Sequence, residues 1–294
     1  MRVSDENKQV DGKRRFYGGV GDKAHLGGFI DIDLDGISPN LWRHMIIDYG
    51  VHSLLDVGCG RGISARWFLE HRVDVLCVEG SHDAIEKTFL PMDMVVEHDF
   101  TRGPWWPEKT YDAVWCIEFL EHVSRQYHFN YMQTFRKAAL IFVSSSQWGG
   151  WHHVEVHPDS WWILKMEAYG FRYSETLTIQ AREWARDELQ NETGTIMAPN
   201  GERFRCAHCV LSLKVFVNPA VAALPQHQHL FPRNGCFKRY ATNEERDAGA
   251  FKSITRPCRK VKMETPLPES FQPLSVLPSM HAKWDAIIKQ GIGK

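Results

Sequence analysis

The chain has 294 residues and a formal net charge of −1, with 43% hydrophobic and 24% charged residues. That composition can bury a globular core, and its near-neutral balance gives no electrostatic reason to expect a nucleic-acid or anionic-membrane partner. The seven cysteines are odd in number and scattered, which argues against a disulfide framework and for a reducing, cytoplasmic compartment.

Residues 1–21 are polar and read as a flexible N-terminal segment, with Met1 followed by charged residues rather than a signal peptide. No apolar run approaches the roughly 18 residues of a membrane span. From Asp22 the pattern firms into a glycine-containing loop, His25 to Phe29. Ser38-Pro39 then predicts a helix start, with proline at the first helical position. Leu41, Trp42, Met45, Ile46 and Tyr49 recur at helical spacing, and Gly50 ends the helix.

Leu54-Leu55-Asp56-Val57-Gly58-Cys59-Gly60-Arg61-Gly62 is the stretch that organises the rest. It reads as a buried strand ending in an acidic residue and three alternating glycines, with a helical pattern at Ala65, Trp67, Phe68 and Leu69. A strand that turns at once into a helix needs residues without a Cβ. The bare backbone also lets a ligand approach amides and a helix N-terminus. Val75 to Glu79 predicts a second strand, and its terminal acid stands where a Rossmann-type unit grips ribose hydroxyls. Gly80 follows directly, and Ser81 is a plausible cap for a helix through Leu90.

A third strand is expected at Met94–Asp99, with Asp99 at its end able to accept from an adenine amino group and Phe100 able to pack on the ring. Ala113 to Ile117 predicts a fourth strand, leading into Glu118-Phe119-Leu120-Glu121-His122-Val123. In open α/β sheets the carboxyl ends of strands form the binding crevice, so Cys116, Ile117 and Glu118 are expected to border the ligand. The alternating glycines, Glu79, the Asp99-Phe100 pair and the Glu118–Val123 stretch together resemble the successive motifs of class I S-adenosylmethionine-dependent methyltransferases. The resemblance covers roughly Leu54 to Pro219 and implies a doubly wound α/β, Rossmann-like seven-stranded sheet and S-adenosylmethionine as cofactor. It implies a cofactor set of Asp56, Gly58, Cys59, Gly60, Gly62, Glu79, Gly80, Asp99, Phe100, Cys116 and Glu118. Gly62 comes one place too early for the dinucleotide fingerprint G-x-G-x-x-G, which disfavours an NAD-dependent oxidoreductase. A non-catalytic nucleotide-binding module is the remaining alternative.

After an aromatic helical segment through Phe135 and an apolar strand, Ala139–Val143, comes the most unusual segment, Ser144 to His157. It holds His152, His153, Glu155 and His157 among tryptophans. His153 or His157 is a candidate general base for a hydroxyl acceptor, with Glu121 and His122 as further catalytic candidates. Metal binding by His152 or His153, Glu155 and His157 is the competing reading, and plain loop histidines the third; the spacing matches no metal signature, and no metal is assigned. The aromatic and imidazole-rich rim suits O-methylation of a small hydroxylated or sugar-like acceptor.

Pro158-Asp159-Ser160 opens another helix, stopped by Gly170, before a sixth strand at Phe171. Ala181 to Leu189 reads as a charged helical insert, Gln190 to Arg203 as a loop, and Arg205 to Val217 as a seventh strand. Cys206-Ala207-His208-Cys209 lacks a second short-spaced pair for zinc and is taken as strand. The methyltransferase domain is therefore drawn at 22–219. Residues 220–294, with a proline-rich run from Pro266 to Pro278 and an amphipathic patch from Met280 to Ile288, are an extension wrapped on the core.

Overall fold

A computed structural model of the chain describes residues 23–26, 33–190 and 205–230. The expected flexible segment 1–21, the loop 191–203 and the tail from residue 231 lie outside them. Five apolar runs become parallel strands: β1 (Ser53–Val57), β2 (Asp74–Glu79), β3 (Val95–Glu97), β4 (Tyr111–Cys116) and β5 (Ala138–Val143). Every residue of β4 and β5 is buried. Strands covered on both faces have no polar side to show, which is why these two read as unbroken hydrophobic runs. With β6 (Arg172–Tyr173) and β7 (Lys214–Val217) they form one sheet of order β3-β2-β1-β4-β5-β7-β6, in which β7 runs antiparallel to both neighbours.

The helices are α1 (Pro39–Ile47), α2 (Ile63–Glu70), α3 (His82–Glu86), α4 (His128–Phe135), α5 (Asp159–Ala168), α6 (Glu175–Gln190), α7 (Ala207–Leu211) and α8 (Pro219–Ala222). Successive strand residues face opposite sides, and they feed two separate cores. Leu54, Trp115 and Phe142 pack with Leu41, Trp42 and Met45 of α1, Phe68 of α2 and Trp184 of α6. Leu55, Val114 and Ile141 pack with Tyr131 and Phe135 of α4 and Trp162 and Met166 of α5. The sheet is thus covered on both faces, as expected of a doubly wound α/β protein.

Three expectations change. The region read as a charged insert belongs to a longer helix, α6, in which Leu177, Ala181, Trp184 and Ala185 are buried. It packs on α1, where Trp184 stacks on His44 at 4.2 Å and Gln180 accepts from the Tyr49 hydroxyl. The long seventh strand is confined to Lys214–Val217, because α7 occupies its first half. Cys206 adopts a left-handed conformation at φ +52°, and its thiol and that of Cys209 point to the backbone carbonyls of Ile37 and Gly36. Residues three apart share one side of a helical turn but not of a strand, so gripping both carbonyls requires the turn. Finally, although the scattered cysteines argued against a disulfide framework, Cys59 and Cys77 are joined in a disulfide with Cα atoms 5.9 Å apart. Cys116, Cys206 and Cys209 are buried.

The first part of the expected extension packs on the core. Val221, Ala222 and Leu230 are buried, and His227 hydrogen-bonds Asp112 at 2.7 Å.

Candidate active site

The parallel strands all deliver their carboxyl ends to one edge of the sheet, and the turns there surround a cavity of about 430 Å³. Gly58 continues β1 by donating its amide to Val78 O (2.9 Å) and then turns the chain at φ +70°. A Cβ at this position would stand 2.5 Å from the Phe119 ring. Gly62, at φ +76°, is the residue that starts α2. The bend between them puts Gly58, Cys59 and Gly60 on the cavity wall, while Gly62 sits behind it.

Two carboxyls hold this bend. Asp56 Oδ2 accepts from the Ala65 amide in the first turn of α2 (3.2 Å). Burial pushes Asp56 up to about 8, against the pull of that amide and with a smaller upward push from the charge of Glu79. Glu79 Oε2 accepts from the Gly60 amide (2.7 Å), and Oε1 from the amides of Gly80 and Ser81, both at 2.8 Å. One side chain therefore ties the β1 turn to the β2 turn. Ser81 also caps α3 by accepting from Ala84 N, as expected, although α3 ends at Glu86.

Asp99 stands at the end of β3. Its Oδ1 accepts from the Thr101 amide (2.9 Å), the Thr101 hydroxyl (2.7 Å) and His25 Nε2 (3.1 Å), and its Oδ2 from Lys23 Nζ (3.1 Å). Burial alone would raise this carboxyl, but the hydrogen bonds outweigh it and hold it well below the usual carboxylate range. They also draw residues 23–26 across this end of the crevice, so that His25 and Leu26 join Asp99 and Phe100 in the lining.

Beyond β4, Glu118 is held at φ +52°, a strained conformation for a residue with a Cβ. Ser144, at the end of β5, secures it twice: its Oγ accepts from Glu118 N (2.9 Å) and donates to Glu118 Oε1 (2.7 Å). Glu118 lines the cavity; Cys116 is buried in the sheet and does not.

The predicted catalytic residues separate. His122 and His153 line the cavity, and their rings meet edge to face at 4.8 Å. His153 Nδ1 donates to Trp148 O (2.7 Å), which directs Nε2 away from that bond. Burial, helped by the charges of His153 and His152, pulls His122 down to about 3. Glu121 is fully buried just behind them, with Oε1 accepting from Ser146 N (2.8 Å). Burial and then the charge of Glu118 push it well above the usual carboxylate range. His157, by contrast, is outside the lining. Its Nε2 bonds Glu155 Oε2 (2.7 Å), and its ring stacks on Trp161 at 3.8 Å. Glu155 in turn takes a two-pronged ion pair from Arg125, at 2.9 and 3.0 Å. Burial raises Glu155, but Arg125 and His157 prevail and hold it at about 2. His157 and Glu155 brace the loop from behind.

Sequence reasoning passed over Asp33 and His208. Both line the cavity; His208 Nδ1 lies 3.5 Å from Glu118 and its Nε2 3.8 Å from Asp33. His208 was visible only as part of a cysteine-flanked tetrapeptide.

The family profile described as a methyltransferase domain matches residues 47–240, more than half of the chain. The chain belongs to the methyltransferase domain family. Its fold is the class I, Rossmann-like one, and its methyl donor is S-adenosylmethionine. Among solved structures, the methyltransferase is similar to a putative methyltransferase from an antibiotic biosynthesis pathway of Anabaena variabilis ATCC 29413, at 14% identity, 49% of this chain, 66% of that chain and TM-score 0.38. It is also similar to an S-adenosylmethionine-dependent methyltransferase from Mesorhizobium loti, at 22% identity, 38% of this chain, 55% of that chain and TM-score 0.30. A third similar structure, a SAM-dependent methyltransferase from Archaeoglobus fulgidus, gives 21% identity, 60% of this chain, 88% of that chain and TM-score 0.36. The chain thus spans less than two thirds of the length of the first two. No curated protein matches it in sequence. Among the described residues, no helix is long and apolar enough to cross a membrane.

Proposed function

We propose that this methyltransferase transfers a methyl group to a hydroxyl of a small acceptor, with the donor on the β1–β3 side of the cavity and the acceptor on the β4–β5 side. The observation that carries this reading is the placement of His153: a ring on the cavity wall whose Nδ1–H is fixed by Trp148 O, leaving the Nε2 lone pair to receive a proton.

The donor side fits S-adenosylmethionine. Gly58 offers a surface that a Cβ would block, and at Gly80 a Cβ would meet Leu26 at 2.6 Å, so that backbone and ligand can lie close. Glu79 is the acceptor for a ribose hydroxyl, placed to take it at Oε2 beside the Gly60 amide, since a carboxylate oxygen can serve an amide and a hydroxyl together. Phe100 packs against the adenine, and Asp99 orders residues 23–26 beside it. Asp56 holds the bend through Ala65. Gly62 and Cys116 act only through the backbone path they set. When bound, S-adenosylmethionine supplies a methyl group on a positively charged sulfur that departs as a neutral thioether.

With such a leaving group, holding the acceptor oxygen in line is the main task, worth up to about 7–11 kcal/mol. Trp151 on the wall and the exposed Trp148 at the rim offer flat apolar faces, which suit the C–H surface of a hydroxylated or sugar-like molecule. His153 receives the proton as the hydroxyl oxygen is methylated, and His122 and Glu121 frame it. A methyl-transfer screen with radiolabelled donor against hydroxyl, amine and carboxyl acceptors, with mass spectrometry of the product, tests the reading. Label is expected on hydroxyl acceptors. His153→Ala should lower kcat by about 100-fold or more with donor affinity unchanged, whereas Glu79→Ala should lose donor binding. Product methylated on nitrogen, or wild-type kcat in His153→Ala, overturns the assignment.

A further inference from the structure

Three groups at the acceptor end of the cavity share a feature that a proton-transfer site does not need. In His122, Nδ1 is buried with no hydrogen-bond partner. In His153, Nδ1–H is spent on Trp148 O, which leaves Nε2 as the lone-pair nitrogen. In Glu121, Oε1 is spent on the Ser146 amide, and Oε2 is buried with no hydrogen-bond partner. One ligand atom from each of the three lies within 4.8 Å of the others. A buried polar atom without a partner costs about 1–3 kcal/mol, and two of the three side chains clustered here carry one.

The pattern is that of a set of metal ligands. A metal-ligating imidazole characteristically donates its other N–H to a carbonyl or carboxylate, which fixes the tautomer and aims the lone pair, and His153 has that arrangement through Trp148 O. We propose that Glu121, His122 and His153 bind one divalent transition-metal ion, with open coordination positions facing the cavity for acceptor oxygens. Two imidazoles and one carboxylate favour a first-row transition ion over Mg²⁺ or Ca²⁺, which select all-oxygen sites. Two atoms each about 2.1 Å from one ion are at most about 4.2 Å apart. Binding therefore draws in any pair that stands beyond that separation, a movement available to His153 on its loop.

Two other groupings lack the unspent lone pairs. At the opposite end of the sheet, His52, Asp112 and His229 approach one another. There the Asp112 oxygens accept from His227, His229 and the amides of His52 and Ser53, so that cluster is internally satisfied. Beside the cavity, Asp35 of the Asp33–Asp35–His208 group is occupied by a bidentate pair with Arg205 at 2.9 and 2.7 Å.

The inference rests on the reading of this end of the cavity as the acceptor side, and it makes His153 a ligand where the metal-free reading makes it the proton acceptor. The test uses the full chain, stripped with chelator and titrated with Co²⁺ and Mn²⁺ by calorimetry. Bound metal is counted by elemental analysis, and Co²⁺ ligation is read from its visible absorption. The expected result is one ion per chain, with affinity reduced at least tenfold in His153→Ala and in His122→Ala and unchanged in His229→Ala. Gly150→Ala supplies a variant that removes no ligand: its Cβ would stand 2.6 Å from His153 Nε2, and it too should weaken Co²⁺ binding. Uptake of no ion, or uptake that the His153, His122 and Gly150 variants all leave unchanged, overturns the metal site. A metal-free protein whose turnover still falls in His153→Ala retains the proton-acceptor reading alone, while one ion per chain without hydroxyl methylation retains the site and rejects the acceptor assignment.

Discussion

Gly58 has no tolerable replacement, for two independent reasons. Its φ of +70° costs a residue with a Cβ about 1–2 kcal/mol, and that Cβ would press on the Phe119 ring at 2.5 Å. Gly58→Ala is therefore expected to lower the unfolding free energy by about 2 kcal/mol and to weaken donor binding, read from a denaturant midpoint and a calorimetric titration; wild-type values in both would show that the bend is not needed. The glycines, Glu79 and Asp99 were legible in the sequence because each belongs to a strand and the turn that follows it, and a few consecutive residues dictate that geometry. His157 was not. Its occupation depends on Glu155, and that of Glu155 on Arg125, 30 residues upstream, so no local pattern could separate it from His153. Asp33 and His208 reach the cavity from segments far apart in the chain, and only the folded sheet edge brings them together.

Strands were easier to read than the helices after them. β1, β2, β4 and β5 carry their apolar runs in plain view, whereas α7 is decided by a tertiary requirement, two thiols reaching the carbonyls of Gly36 and Ile37. The residues after β7 illustrate the same dependence. Their anchor is Asp112 on β4, 1% exposed, which accepts from His227 Nδ1 at 2.7 Å and His229 Nε2 at 3.1 Å. The Thr110 hydroxyl completes the group by donating to His227 Nε2 at 2.7 Å. Burial alone would raise the Asp112 carboxyl, but the His227 hydrogen bond, the His52 amide and His229 outweigh it and hold it below the ordinary value. A carboxyl depressed on folding contributes stability that is complete above its unfolded pKa of about 3.9 and is lost as pH falls through its lower folded value. Asp112→Asn should thus cost about 3 kcal/mol at neutral pH, with the deficit shrinking as the medium is acidified below pH 4. Equal destabilisation at pH 7 and pH 3, measured by urea unfolding, would contradict the assignment.

The molecule as a whole places its chemistry at one edge of a sheet buried on both faces. Residues contributed by β1, β2 and β3 meet there with residues contributed by β4 and β5, and neither half encloses the cavity by itself. Glu79, Asp99 and Glu118 on its wall give it an acidic character suited to a donor that carries a positive sulfur. A ligand that bridges these elements binds the folded state alone, so it must raise stability by mass action. At a concentration 100-fold above its dissociation constant the gain is about 2.7 kcal/mol. For a domain of this size, each kcal/mol moves Tm by about 2–4 °C, which makes the expected rise about 5–11 °C. S-adenosylmethionine and its demethylated thioether product should both produce it, because both present the adenosine that the bend and Glu79 receive. NAD should not, since its pyrophosphate would bring a double negative charge against these same carboxylates, with Gly62 one place short of the dinucleotide spacing. A thermal scan with the three ligands separates the cases: a rise with NAD equal to that with the donor would show that the acidic wall does not select the cofactor, and no rise with any of them would remove the cavity from donor binding.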